Sequence, residues 1–292
     1  MSASQLTYRK FAVAGGTGGL GSFITKALLS QGAEVGVLTR SHDTVVPSGA
    51  IAKVVDYADP ASLSAALKGV EVVVSTLSRA GIAQQPALAD AAKAVGVKLF
   101  VPSEFGGNTV GKTPESLHYG KNLHYGKTQM HQHLRKIGLP YTLYFTGWFT
   151  DYDFIPPLGF NIPNKTITIV GTGTVPISFT TRSDIADFVA YTLTHLPSTK
   201  LENAVLGMEG DRRTLVSLKQ TFEEVYGGEF KLVHRDVDEV ANIVREKGMA
   251  AMTDYPLICA ELGEHLNENP QNALFPEWKP LTVAETLRKY YS

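Results

Sequence analysis

Apolar positions follow two rhythms along this chain, and the rhythms alternate. Short continuous apolar runs predict strands over 11–14, 34–40, 51–55, 70–77, 97–101 and 141–145. Between them, apolar residues recur every three to four positions and predict helices from Gly21 through Leu28, then over 60–67, 86–95 and 123–137. Unbroken apolar strands separated by amphipathic helices predict an α/β fold with a doubly wound parallel sheet, each strand covered on both faces. Right-handed crossovers then put a ligand crevice at the carboxyl ends of the strands. Beyond residue 147 the pattern loosens. Pro156, Pro157, Pro163 and the Gly171-Thr-Gly173 turn predict a loop-rich stretch. Strands are expected over 175–180 and 204–206, and helices over 184–196, 215–225, 237–244 and 281–290, the last opened by a Thr282/Glu285 capping box. The expected division is a dinucleotide-binding Rossmann domain over 1–147, with late sheet elements from about 175–207, and a substrate-binding portion over 148–174 and 208–292.

The first strand breaks into Gly15, Gly18 and Gly21 before the first helix. A strand, a glycine turn and a helix N-terminus make an anion site, because free backbone N–H groups and the helix dipole face a phosphate. Gly15 allows the turn, Gly18 the approach of a pyrophosphate, and Gly21 the packing of helix on strand. The second strand ends in Thr39-Arg40-Ser41-His42, without the carboxylate that takes the ribose hydroxyls of NAD. A guanidinium holds a phosphate through two parallel hydrogen bonds. Arg40 therefore points to NADP(H), with Ser41 beside it.

Composition changes little in this picture. The 292 residues are 43% hydrophobic and 19% charged, which suits a globular chain with a large core. A net charge of −1 gives no general attraction to nucleic acid or to anionic membrane. The single cysteine, Cys259, leaves no internal disulfide, and no apolar run reaches membrane-spanning length. A cytoplasmic monomer or homodimer is expected.

A reductase needs a proton donor or acceptor beside the nicotinamide. No tyrosine here has a lysine four residues on. On a helix, however, Leu123, Lys127, Met130, Leu134 and Ile137 share one stripe, so Lys127 interrupts an inward-facing apolar row. A desolvated ammonium loses proton affinity, which suits acid–base work near neutral pH. The other reading is a lysine whose stem covers core surface. If the helix extends back that far, Lys121 falls on the opposite, solvated face. His131 and His133 lie about 200° apart around the helix, cannot share a metal, and are expected at the surface. No metal site is expected.

The segment 97–106, which ends in Pro102-Ser-Glu-Phe-Gly106, together with the glycine turn and Lys127 followed by Gly138-Leu-Pro-Tyr-Thr142, resembles the isoflavone reductase-like and NmrA-like family of atypical short-chain dehydrogenases. The stretches Val70-Glu-Val-Val-Val-Ser75 and Arg182-Ser-Asp-Ile-Ala186 resemble it too. The likeness runs over roughly 10–190, and the last hundred residues match only in outline. It implies NADPH with its pyrophosphate on Gly15, Thr17, Gly18, Leu20 and Gly21 and its 2′-phosphate at Arg40 and Ser41. It implies adenine and ribose near Asp56, Thr76 and Ser78, and nicotinamide and substrate near Ser103 and Phe105. Lys127 matches the family's proton donor or acceptor. The chain departs from the plant pattern just after that lysine, where Thr128-Gln-Met-His-Gln-His133 replaces an Arg-containing helix. Trp148, Phe149, Tyr152 and Phe154 would wall an aromatic substrate site, or else pack the two portions together. The expected function is NADPH-dependent reduction of a small aromatic, phenylpropanoid-like compound at a conjugated alkene or quinone-methide carbon. The alternative is a non-enzymatic NADP(H) sensor that binds a protein partner.

Overall fold

In the computed structural model of this chain, residues 7–112, 123–251 and 253–291 are described. The first half alternates β1 Lys10–Ala14, α1 Gly21–Ser30, β2 Glu34–Thr39, β3 Ile51–Val54, α2 Pro60–Leu67, β4 Val72–Ser75, α3 Gln85–Ala94, β5 Leu99–Val101, α4 Leu123–Ile137 and β6 Thr142–Phe145. Five of these strands pair in parallel in the order β3-β2-β1-β4-β5. A single parallel bridge from Phe100 to Tyr141 carries the sheet on to β6. The order reverses between β2-β1 and β4, which opens the crevice at their carboxyl ends.

Alternation along β1 shows why both faces need helices. Phe11 and Val13 join a core with Val72 and Val74 of β4 and Ile24 and Leu28 of α1. Ala12 and Ala14 join another with Val73, Leu63 of α2, Leu88 of α3 and Leu134 of α4. Each such large side chain stabilises the fold by about 1.5–3 kcal/mol when fully buried. Met130 and Leu134 of α4 are buried as the stripe predicts.

The second half comprises β7 Trp148–Phe149, β8 Phe160–Asn161, β9 Thr166–Val170, β10 Pro176–Thr180, α5 Arg182–His195, β11 Ala204–Gly207, β12 Asp211–Thr214, α6 Leu215–Tyr226, β13 Lys231–Arg235, α7 Val237–Lys247, α8 Asp254–Glu261 and α9 Val283–Tyr290. β11 pairs in parallel with β6, and α5 packs beside α1 on the main sheet. Two small sheets, β12-β10-β7 and β13-β9-β8, surround a separate core of Trp148, Phe154, Phe160, Phe179 and Phe222. The capping box at Thr282 is formed: Glu285 Oε2 accepts from Thr282 N at 2.8 Å, and Thr282 Oγ1 accepts from Glu285 N at 3.3 Å.

The loop-rich expectation for the 156–173 stretch needs correcting. β8 and β9 form an antiparallel hairpin there, and β13 adds in parallel to β9. The Thr-Ile-Thr-Ile-Val alternation is a half-buried strand between Pro163 and Gly171, which mark its ends rather than prevent it. α8 is a further helix, outside those expected, and its Pro256 sits in the first turn, where a missing N–H costs no helical bond. Among the described residues, no helix is long and apolar enough to cross a membrane.

Candidate functional site

The turn after β1 is as tight as its glycines suggest. Gly15 has φ +77°, and Gly18 N donates to Gly15 O at 2.9 Å. A Cβ on Gly21 would lie 2.2 Å from Gly15 O, so no other residue fits there. Leu20 precedes α1 without a side-chain cap, which leaves first-turn N–H groups for an external anion. From this turn a groove of about 560 Å³ runs past Thr17, Thr76 and Ser78 to Arg40 and Ser41. Thr76 Oγ1 donates to Ala14 O at 2.9 Å, which fixes the groove wall to the end of β1. Arg40 is exposed and, among the described residues, has no ion pair. The donor set therefore fits a dinucleotide with an extra phosphate.

Three candidates lie elsewhere. Asp56 shares an adjoining recess with Arg40 and Tyr57, and its Oδ1 accepts from Ala58 N at 2.9 Å, closing a turn. Burial there pushes the Tyr57 phenol up to about 12. Leu20 packs against the core instead of lining the groove. Ser103 is held within the fold, its Oγ donating to Leu77 O at 2.9 Å and its N–H to Gln85 Oε1 at 2.8 Å.

A second cavity, of about 270 Å³, opens beyond the carboxyl ends of β5 and β6. Lys127 lines it with Phe105, Trp148, Phe149 and Tyr152. The lysine is buried, and its Nζ donates to Glu104 O at 2.5 Å. Loss of hydration lowers its pKa, while the Glu104 charge opposes that shift. The Glu104 carboxylate is itself buried, held by Thr109 Oγ1 at 2.7 Å and by His131 Nε2 at 2.8 Å. Lys127 and His131 stand four residues apart on α4 and grip one residue from the same helix face. His131 is thus not a surface histidine. His133 fits that expectation better, partly exposed and 2.7 Å from Asp90 Oδ1. Lys121 lies outside the described residues. Among the described residues, no group of three or more His, Cys, Asp or Glu is placed to hold a metal.

The aromatic wall is only partly as expected. Phe105, at φ +31°, stacks parallel to Tyr144 with ring centroids 6.3 Å apart. Trp148 lines the cavity but is only 3% exposed, packed on Phe160 and Phe179. Phe149 is half-buried and lines the cavity, whereas Tyr152 is 55% exposed at the rim. Phe154 does not reach the cavity. It is 2% exposed, wedged among Phe160, Phe179 and Phe222, because its turn directs it into the second core.

Three residues at or beside the cavity were not visible in the sequence. Asp153 lines it, with Oδ2 accepting from Phe149 N at 2.6 Å; burial pushes its carboxyl up to about 7. His265 arrives from the segment after α8. Arg182, at the start of α5, joins the two sites. Its Nη1 lies 3.1 Å from where a Cβ on Gly19 would sit, and its Nε donates to Asp151 Oδ2 at 3.0 Å. Its guanidinium lies 5.5 Å from the Phe23 ring centroid and 4.9 Å from that of Tyr152.

The NmrA-like family model matches residues 7–285, well past the stretch that the motifs covered. The chain belongs to the NmrA-like family. Phenylcoumaran benzylic ether reductase POP1 of Populus trichocarpa is 28% identical, across 96% of this chain and 99% of that protein. Among solved structures, leucoanthocyanidin reductase with NADPH from Vitis vinifera superposes with a TM-score of 0.82 at 23% identity, covering 96% and 98% of the two chains. AtPrR2 with NADP+ and (+)-pinoresinol gives a TM-score of 0.81 at 24% identity, covering 97% and 99%. At those identities the shared property is the fold, including the parallel sheet with its crevice.

Proposed function

We propose that this NmrA-like protein is an NADPH-dependent oxidoreductase that reduces a small aromatic compound, with Lys127 as general acid. The observation that carries the reading is a buried ammonium lining an otherwise largely apolar cavity, on the same sheet edge as the dinucleotide groove. The reductase names of the relatives support it, as do the NADP+ and NADPH held by the solved neighbours. NADPH, when bound along the groove, supplies the hydride for an electrophilic carbon, a conjugated alkene or quinone-methide position.

The chain's own residues do the rest. The glycine turn and the first turn of α1 hold the pyrophosphate, and Arg40 with Ser41 takes the 2′-phosphate. Thr76 and Ser78 border the ribose. Phe105, Trp148 and Phe149 exclude water and seat the aromatic ring. Lys127 Nζ gives one proton to the oxygen on which negative charge gathers, becomes a neutral amine, and regains the proton from solvent. Glu104 O holds the amine at the cavity wall, and His131 and Thr109 hold Glu104. In this reading residues 1–147 with β11 carry the cofactor, and 148–174 with 208–292 shape the substrate side.

Loss of NADPH absorbance in the presence of benzylideneacetone and a set of aryl benzylic ethers tests the proposal. Oxidation with at least one compound is expected, and Lys127→Met lowers kcat by about 10²–10⁴-fold with NADPH affinity unchanged. Tight NADPH binding with no oxidation of any compound would leave a nucleotide receptor instead.

A further inference from the structure

Asp153 brings a carboxyl group to the lining of the Lys127 cavity. Its Oδ2 accepts from Phe149 N at 2.6 Å, which anchors the acid to the cavity wall. Oδ1 has no hydrogen-bond partner among the described residues, yet its neighbours do not close it off as they close off both ring nitrogens of His265. The acid also has no ion pair among those residues, because Arg182 pairs with Asp151 instead, Nε to Oδ2 at 3.0 Å. Loss of hydration pushes the Asp153 carboxyl up to about 7; the Asp151 charge adds to that rise, while the Phe149 N–H and the Arg182 charge oppose it. A carboxyl stripped of bulk water that still touches open space faces an enclosed cavity, and the cavity Asp153 borders is this one.

We infer that Asp153 is a specificity-determining residue of the substrate cavity, its Oδ1 taking a hydroxyl carried on the aromatic ring of the ligand. The inference rests on the reading of this cavity as the substrate site. Other polar groups of the lining are engaged, closed off or at the rim. Lys127 Nζ donates to Glu104 O, the Tyr255 hydroxyl meets Cys259, the His265 nitrogens are sealed, and Tyr152 is 55% exposed. Phe105, Trp148, Phe149, Leu158 and Pro256 make most of the remaining wall apolar. In such surroundings a hydroxyl that donates to a carboxylate forms a strong, charge-assisted hydrogen bond and replaces the water that burial removed. A ring without that hydroxyl leaves the carboxylate against carbon, which costs binding. A methyl ether at the same place has no proton to donate and gains nothing. The cavity therefore selects phenols over unsubstituted and O-methylated rings.

Calorimetric titration of the NADP+-loaded protein decides it, using benzylideneacetone and its para-hydroxy and para-methoxy derivatives, which differ only in the ring substituent. The wild type is expected to bind the para-hydroxy compound about tenfold more tightly than either of the others. Asp153→Ala should erase that preference. Asp153→Asn keeps an amide oxygen for the Phe149 N–H, so the turn is preserved, and should lower the preference by removing the charge. Equal binding of the three compounds by the wild type, binding of none, a para-methoxy compound held as tightly as the phenol, or a preference unchanged in both variants would overturn the inference. NADPH oxidation by the same compounds is followed alongside: oxidation without a preference for the phenol overturns this inference alone, and a preference without oxidation overturns the reductase proposal alone.

Discussion

The dinucleotide groove and the Lys127 cavity lie on one edge of one sheet but are built differently. The groove is built on the glycine turn that follows β1 and on the residues that close β2 and follow β4, each a short local stretch of chain. The cavity is side chains converging from distant segments, with Phe105, Lys127, Trp148, Tyr255 and His265 each arriving on a different stretch of chain. A backbone site is encoded locally, by spacing and by the absence of Cβ atoms. A side-chain site is encoded by the packing that brings its members together. Arg182 is where the two meet, touching Gly19 on one side and the rim tyrosine Tyr152 on the other.

If the groove depends on backbone geometry, Gly21→Val has the largest effect. Its branched side chain would have to displace Gly15 O, 2.2 Å from the Cβ position, which costs about 4 kcal/mol or more and abolishes NADPH binding. Chemical denaturation and calorimetry measure both, and a stable variant with normal NADPH affinity would break the comparison. Phe154→Ala comes next and sharpens the cavity's outline. As a core ring it should lose about 3–5 kcal/mol in denaturant titrations and leave the substrate KM unchanged. A raised KM with stability intact would put Phe154 back on the cavity wall. The smallest effect is Arg40→Ala, expected to weaken NADPH by about 10–100-fold while leaving NADH affinity unchanged. An equal loss for both nucleotides would remove the 2′-phosphate role.

The same difference explains what was legible. The order of strands and helices through β6, and the turn at Gly15–Gly21, follow from local periodicity and composition. Lys127 was visible because a lysine breaks an apolar stripe. Its neighbour His131 was not, because it was weighed against His133, two residues on, rather than against Lys127, four residues back on the same face. The partner that joins them, Glu104, stands 23 residues before Lys127 in the chain, and no spacing rule connects the two. Phe154 was misplaced because an aromatic run does not reveal which rings face a cavity and which face a core. β9 was missed because its flanking proline and glycine outweighed its alternation. His265 carries no local signal at all. Only the folded chain brings it beside Lys127.

The central claim is that the buried Lys127 ammonium delivers a proton during reduction. The most direct measurement is the single-turnover rate of NADPH oxidation by the loaded protein with benzylideneacetone, followed from neutral to alkaline pH. Burial lowers the folded-state pKa of this amine, so the donor loses its proton earlier than a free lysine does. The account predicts a rate that holds at neutral pH and then falls, with a midpoint below the ordinary lysine value of 10.5. It further predicts that Lys127→Met is slow and shows no such fall. A wild-type rate independent of pH through that range, or a Lys127→Met variant that keeps the wild-type rate and profile, would contradict it.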